Sequence, residues 1–131
     1  MEQYNLPKGK MLIIYPEYIH SDGTKIDALA FLPVGAMYAG QLLERRGVSV
    51  HYQDNQLHPI RERVDLADFD SYGISVMGAQ NIAVAGKIYK LLLEKGVKPG
   101  QIYFGGQGIE DLTDEEFQRL LPGANKISTA N

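Results

Sequence analysis

The chain has 131 residues, of which 44% are hydrophobic and 22% charged, as expected of one globular domain with a single core. Its formal net charge of −3 gives no electrostatic attraction to a polyanion, which disfavours nucleic acid as a partner. The absence of cysteine excludes disulfides, thiolate metal sites, iron–sulfur clusters and cysteine nucleophiles from this chain.

Residues 1–10 read as an N-terminal extension and 11–131 as one domain. The extension lacks the apolar run of a signal peptide. No apolar stretch approaches the roughly 20 residues that span a bilayer. The sequence therefore predicts a cytoplasmic domain without a membrane partner.

The first half of the domain predicts two strands and one helix. MLIIY at 11–15 is a short apolar run, as in parallel strands that are covered on both faces. A loop over 16–32 is long enough to order over a ligand or to be partly mobile. A helix is predicted from Pro33 to Gly47, since proline suits the first turn and glycine ends helices. VSVHYQ at 48–53 alternates like a strand, and the polar connection after it has room for a short helix near 59–64.

The second half predicts three more strands and two helices. YGISVM at 72–77 is the candidate central strand, and the apolar spacing from Ile82 predicts a helix ended by Gly96. IYF at 102–104 predicts a strand that stops at a glycine-rich loop, 105–108. Thr113 with Glu116 has capping-box spacing and predicts a helix through Leu121, before a weak strand at about 126–129.

This alternation of strands and helices predicts an α/β fold, a doubly wound five-stranded parallel sheet of flavodoxin-like type. Ligands bind such sheets outside the carboxyl ends of the strands. The residues expected there are rich in glycine and neutral amides and poor in lysine and arginine. They are 15–32, 53–55, 77–81, 105–108 and 129–131. This edge suits a large neutral ligand with many amide groups better than a nucleotide triphosphate.

This chain lacks the residues that three familiar classes of protein with such a fold require. A response-regulator receiver needs an acceptor aspartate at the end of the third strand, where this chain has Ser75-Val76-Met77. A flavodoxin needs a hydroxyl-rich phosphate loop at the start of the first helix. The segment 21–24 resembles such a loop only weakly, and the predicted helix begins well after it. A dinucleotide fold needs GxGxxG directly after the first strand, and none is present.

Four segments resemble the cobalamin-binding domains, most closely the N-terminal domain of cobalamin-dependent radical SAM enzymes of the methyltransferase type. They are a strand ending in Tyr-Pro at 15–16, LPVGAMYAGQLLERRGVSVHYQD, YGISVMGAQNIAVAGKIYKLL and IYFGGQGIEDLTDEEFQRLLPGANKI, which together cover 11–131. The resemblance implies a Rossmann-like cobalamin-binding fold over 11–131. In that family the serine region and the glycine pair line the space for the nucleotide tail of cobalamin, whose base is off the cobalt. The implied cofactor-binding residues are Ser75, Met77, Gly78, Gln80, Asn81, Gly105, Gly106, Gln107 and Asn131.

The sequence departs from the mutase and methionine synthase pattern, because the DxHxxG motif that supplies the lower cobalt ligand is absent. His20 is a candidate cobalt ligand from a longer loop, although a solvent-exposed loop histidine is the plainer interpretation. No other metal ligand is assigned.

The resemblance implies that S-adenosylmethionine and a 4Fe-4S cluster belong to a catalytic domain, in cis or in trans. This chain lacks the CxxxCxxC that holds such a cluster, so it is expected not to be catalytic alone. Its abrupt end after the fifth strand favours a piece of a longer enzyme over a separate corrinoid carrier. Both predicted groups of site residues also have a structural explanation that does not involve a ligand. Ser75 can satisfy backbone groups at a strand end, and the glycine pair can form a tight turn. The other function considered is a flavodoxin-like domain without cobalamin that binds FMN or acts in interaction or sensing.

Overall fold

A computed structural model of the chain describes residues 9–15, 40–54, 63, 65–78 and 81–127. Its centre is a sheet of five strands: β1 (Lys10–Tyr15), β2 (Ser49–Asp54), β3 (Ser71–Ser75), β4 (Ile102–Gly105) and β5 (Asn125–Lys126). The strand order is β2-β1-β3-β4-β5, and every neighbouring pair is parallel. The predicted flavodoxin-like α/β class is confirmed.

Helices connect these strands and cover the sheet. They are α1 (residues 40–44), α2 (Ile82–Glu94), α3 (Gln107–Glu110) and α4 (Asp114–Leu120), with a 3-10 turn at Pro99–Gln101. No helix within the described ranges is long and apolar enough to cross a membrane.

The two faces of the sheet carry two separate apolar clusters, because side chains alternate along each strand. On one face Leu12 and Ile14 of β1 pack with Ala85, Ile88 and Leu92 of α2. We call this the α2 face; Ile109 of α3 and Phe117 of α4 join the same cluster. The opposite side is the α1 face. There the buried residues are Met11, Ile13, Leu43, Val48 and Tyr103. Helices on both faces give the doubly wound architecture that the sequence predicts.

The helix α2 ends at a glycine, as predicted. Gly96 has a φ of +94°, and its N–H donates to the carbonyl of Leu93 at 3.0 Å. The N–H of Val97 donates to the carbonyl of Leu92, also at 3.0 Å. These two bonds form a Schellman motif, which satisfies the last carbonyls of the helix and directs Val97 into the core.

The predicted capping box is also present. The Thr113 hydroxyl accepts a hydrogen bond from the Glu116 N–H at 3.1 Å, and the Glu116 carboxylate accepts one from the Thr113 N–H at 2.9 Å. Two unsatisfied donors at the start of α4 are thereby paired.

Several element boundaries differ from the sequence prediction. By one residue each, β1 begins earlier, at Lys10, β2 is shifted to Ser49–Asp54, and β4 extends to Gly105. The strand β3 ends at Ser75 rather than Met77, although the Val76 N–H still donates to the Gly105 carbonyl at 2.8 Å. The strand β5 begins at Asn125, one residue early. The loop predicted over 105–108 contains the start of α3, because Gly106 turns the chain directly into a helix and its carbonyl accepts from Ile109 and Glu110. The predictions for 16–32, 33–39 and 128–129 lie outside the described residues, as does the short helix near 59–64 apart from Arg63.

Two glycines near or in α2 provide a matched test of the helix end. A methyl on Gly96 meets open space but keeps an unfavourable positive φ. We therefore expect Gly96→Ala to lower the free energy of unfolding by about 1 kcal/mol. Gly86 lies inside α2, also in open space, so Gly86→Ala should raise it by about 1 kcal/mol. Urea unfolding followed by circular dichroism measures both, and effects of the same sign would contradict this account of the helix end.

Candidate functional site

The crevice of this sheet is expected between β1 and β3, since these neighbours lead to helices on opposite faces. Leu43 of α1 packs with Met11 and Ile13 on one face, whereas α2 follows β3 and packs on the other. A ligand crevice in an open α/β sheet lies at such a switch point, outside the carboxyl ends of the strands. The predicted site residues of β3 and β4 stand at this same edge.

The ends of β3 and β4 bring two predicted site residues together. Ser75 and Gly105 are partners in the parallel register, and both are half-buried. Beyond them the Val76 carbonyl accepts a hydrogen bond from the Gly108 N–H at 3.0 Å. The two loops that follow β3 and β4 are thus joined by backbone contacts.

Glycine is required in the second loop because the first loop lies against it. A Cβ on Gly106 would collide with the backbone of Val76, and Gly106 has a φ of +106°. A Cβ on Gly108 would lie 2.8 Å from the carbonyl oxygen of Gly78. These contacts fall under 3.0 Å, which real Cβ atoms essentially never show. Gly106 therefore has a structural function, the tight turn from strand to helix that the sequence indicates as an alternative to ligand binding.

On the α1 face β4 carries one large side chain, Tyr103, whereas the other positions of β3 and β4 on this face are small. Strand alternation places Ser71, Gly73 and Ser75 of β3 on this face, and Gly105 of β4 beside Ser75. We call these four residues the small-residue strip. A Cβ on Gly105 would meet the Ile127 Cγ2 at 3.0 Å, and one on Gly73 would meet the Met11 Cε at 2.7 Å. Ile127 and Met11 therefore border the strip.

The strip is uncharged. Tyr103, the register partner of Gly73, is 6% exposed; its phenol is neutral at pH 7 in any case, and burial raises its pKa further. The segments 75–78 and 105–108 contain no ionisable side chain. These two loop segments therefore suit a neutral group better than an ion.

The other predicted site residues in the described part of the chain lie around this edge. Met77 and Gly78 are half-buried in the loop after β3. Asn81 is 1% exposed at the start of α2, where its N–H donates to the Gly78 carbonyl at 3.0 Å and its side chain makes no capping bond. Gln107 is exposed, and its amide donates to the Asp111 carboxylate at 2.8 Å.

Some sequence predictions fall on residues that the structure does not describe: Gln80, Asn131, His20 and the loop over 16–32. Within the described ranges no group of three or more His, Cys, Asp or Glu residues is arranged to hold a metal ion.

Two residues of this region were not singled out from the sequence. Gly73 interrupts a predicted strand, and a glycine there is a known sign of close approach by another group. Met11 opens an apolar run and reads as an ordinary core residue. Only the register, which places the β1 side chains beside β3, shows that Met11 reaches over Gly73.

These features define an open α/β domain of flavodoxin-like strand order, with its crevice at the carboxyl edge. A solved structure with this architecture is that of a cobalamin-binding protein from Desulfitobacterium hafniense DCB-2, with a TM-score of 0.61 and 16% sequence identity. The alignment covers 95% of this chain and 54% of that one, so this chain spans about half the length of its structural neighbour. No family model matches the sequence, and no curated protein matches it. At this identity the likeness shows the fold.

The backbone contact between the two loops predicts a large effect of small substitutions. Gly106→Ala adds a collision with Val76 to an unfavourable φ, so we expect the free energy of unfolding to fall by about 3 kcal/mol. Gly108→Ala should cost about 2 kcal/mol through its contact with Gly78. Gly100→Ala, at a glycine with open space around it, is the control and should change the free energy by less than about 1 kcal/mol. Chemical denaturation measures all three, and equal stability of the Gly106 and Gly100 variants would contradict the close packing.

Proposed function

We propose that the chain binds cobalamin at the carboxyl edge of β3 and β4, with the nucleotide tail of the cofactor along the α1 face. The observation that carries this proposal is the small-residue strip, which starts at the register pair of Ser75 and Gly105. The strip leaves out side-chain volume at the edge where ligands of such sheets bind. The structural neighbour, itself described as a cobalamin-binding protein, supports the proposal through its shared fold.

The chemistry of the edge also favours cobalamin. Corrinoids carry many neutral amide groups, and this edge offers glycine backbone, the Ser75 hydroxyl and the side-chain amides of Asn81 and Gln107. Ser75 would hydrogen-bond the tail, and Gly105 would let the tail approach the β4 backbone. The remaining members of the proposed set are Met77, Gly78, Gln80, Gly106 and Asn131. Gly106 would act by shaping the loop, since its α-carbon is already packed against Val76.

Bound cobalamin would supply a cobalt centre able to carry a methyl group, chemistry that side chains do not provide. The chain itself would hold the cofactor, orient it and shield the tail from water. His20 is a candidate lower ligand to cobalt, and tail binding through the strip does not require it.

We further propose that this domain serves a cytoplasmic cobalamin-dependent radical SAM methyltransferase as its N-terminal part. A catalytic domain, in cis or in trans, would bind S-adenosylmethionine and the 4Fe-4S cluster. The support is the sequence resemblance over 11–131, together with the absence of cysteine from this chain. Copurification of a cysteine-containing radical SAM partner with the tagged chain would support this role.

FMN is the second candidate ligand, because flavodoxins share the strand order and bind FMN at the β1/β3 switch point. Phosphate binding in that fold uses the loop between the first strand and the first helix, which the sequence predicts at 16–32. The two cofactors are told apart by their absorbance spectra, since flavin is yellow whereas cobalamin is red.

The decisive experiment is a titration of the purified protein with hydroxocobalamin, followed by absorbance and equilibrium dialysis. Ser75→Ile fills the outer end of the strip with a side chain that strands favour, so we expect the Kd for cobalamin to rise on the order of tenfold or more. Ser49→Ile is the matched control, because Ser49 is exposed at the amino end of β2. It should leave the Kd within about twofold of the wild type.

Substitution of Gly106 is a poorer test, because its collision with Val76 would disturb the fold as well as the ligand. Absence of saturable cobalamin binding by the wild-type chain would overturn the proposal. Saturable binding of FMN instead, with quenched flavin fluorescence, would establish the second candidate.

A further inference from the structure

The small-residue strip does not run uninterrupted along β3. From the carboxyl edge inward its members are Ser75, Gly73 and Ser71, spaced by two residues on one face. The Met11 side chain reaches over the middle of the strip, since its Cε lies 2.7 Å from the position of a Cβ on Gly73. Met11 is 2% exposed and belongs to the apolar cluster of the α1 face.

A polar group lies beyond Met11 at the inner end of the strip. Ser71 is 3% exposed, and its hydroxyl has no hydrogen-bond partner among the described residues. A buried hydroxyl in this situation is unfavourable unless a water or a ligand pairs with it. The strip therefore has a polar position at its inner end, with Met11 standing between that position and the open edge.

From this geometry we propose that Met11 stops the base of the cobalamin nucleotide above Gly73, and so makes the site sensitive to the size of that base. The inference rests on the proposed function, and it adds a specificity-determining residue to it. A methionine suits this role because its side chain is unbranched, polarizable and able to adapt to the group it contacts. The depth available to the base is then set by one flexible side chain rather than by the backbone.

Substitutions of Met11 and Gly73 are expected to change the depth of the strip in opposite directions. Met11→Ala removes the stop and deepens the strip toward Ser71. Gly73→Ala adds a methyl that meets the Met11 Cε, a flexible end that can turn aside into the strip and shorten it. Gly73 has an ordinary strand φ, so alanine is compatible with its backbone. The second variant keeps the test valid even where the first one unfolds.

Three corrinoids with different tails probe how deeply a base can enter the small-residue strip. Cobalamin carries a dimethylbenzimidazole base, the benzimidazole analogue has the same tail without two methyl groups, and cobinamide has no nucleotide at all. We expect Met11→Ala to change the ratio of the Kd for cobalamin to the Kd for its benzimidazole analogue on the order of tenfold, in favour of the larger dimethylbenzimidazole base. Gly73→Ala should shift the same ratio in the opposite direction. Neither change should alter the Kd for cobinamide by more than about twofold, since cobinamide places nothing in the strip.

Leu12→Ala is the matched control for lost core packing. Leu12 is as buried as Met11 and neighbours it in β1, but it points to the α2 face. Its variant should lose stability as Met11→Ala does, because both remove a buried apolar side chain, and should leave the ratio of the two Kd values unchanged. All titrations are run on samples whose folding is checked by circular dichroism.

The outcomes separate this inference from the proposed function. Tighter binding of cobalamin than of cobinamide, with a ratio that neither Met11→Ala nor Gly73→Ala changes, would overturn the role of Met11 and leave the tail site standing. Equal ratio shifts from Leu12→Ala and Met11→Ala would also overturn it, because the effect would then follow from general loosening. Failure of every corrinoid to bind the wild-type chain would overturn the proposed function and this inference together.

Discussion

The shape of the carboxyl edge depends on one contact, the packing of the backbone at 76–78 against the backbone at 106–108. The Val76 N–H donates to Gly105, and the Val76 carbonyl accepts from Gly108, so one residue is held on both sides. Side chains cannot fit between these two segments, which is why glycine stands at both 106 and 108. The contact extends the pairing of β3 with β4 beyond the strands and fixes the direction in which α3 leaves the sheet.

This contact also decides which face of the sheet remains available to a ligand. On the α2 face, Val76 and Ile109 are buried in the large cluster with α2 and α4, so that side of the edge is filled by the chain itself. On the α1 face the strands present Gly73, Ser75 and Gly105, whose small side chains leave volume to be occupied by a neighbour. The observed neighbours are the Met11 and Ile13 side chains at Gly73, and the side chain and carbonyl of Ile127 at Gly105. A ligand tail is consequently easier to place on the α1 face.

The elements of the fold were predictable because their signals are local. The apolar runs MLIIY and IYF predicted β1 and β4, and the alternation of VSVHYQ predicted β2. The end of α2 followed from Gly96, whose positive φ few other residues adopt readily. The capping box at Thr113 likewise needs only residues within one helical turn. What the sequence could not supply was α3, because a four-residue helix has too little periodicity to distinguish it from a loop.

The candidate site was predictable in part, for a similar reason. Ser75 and Gly105 follow from the rule that strand ends meet at one edge, which needs only the strand boundaries. Met11 does not follow, because its position over Gly73 depends on the relative shift of β1 and β3, a property of pairing between strands far apart in the sequence. For Gly106 the sequence identifies the residue but not the reason for it. The reason, the nearby backbone of Val76, is visible only in three dimensions.

The small-residue strip carries no charged side chain, so ligand selection along it depends on shape and on hydrogen bonds. Coulombic attraction acts at a distance and tolerates misplacement, whereas a neutral strip discriminates only through contact and through the pairing of buried polar groups. In such a site a single side chain that limits depth has more influence on selectivity than an added hydrogen bond at the exposed rim, where water competes. The position of Met11 between the half-buried Ser75 and the buried Ser71 places the limit where water has least access. The selectivity of the domain for its ligand is therefore expected to reside in β1 as well as in the loops after β3 and β4.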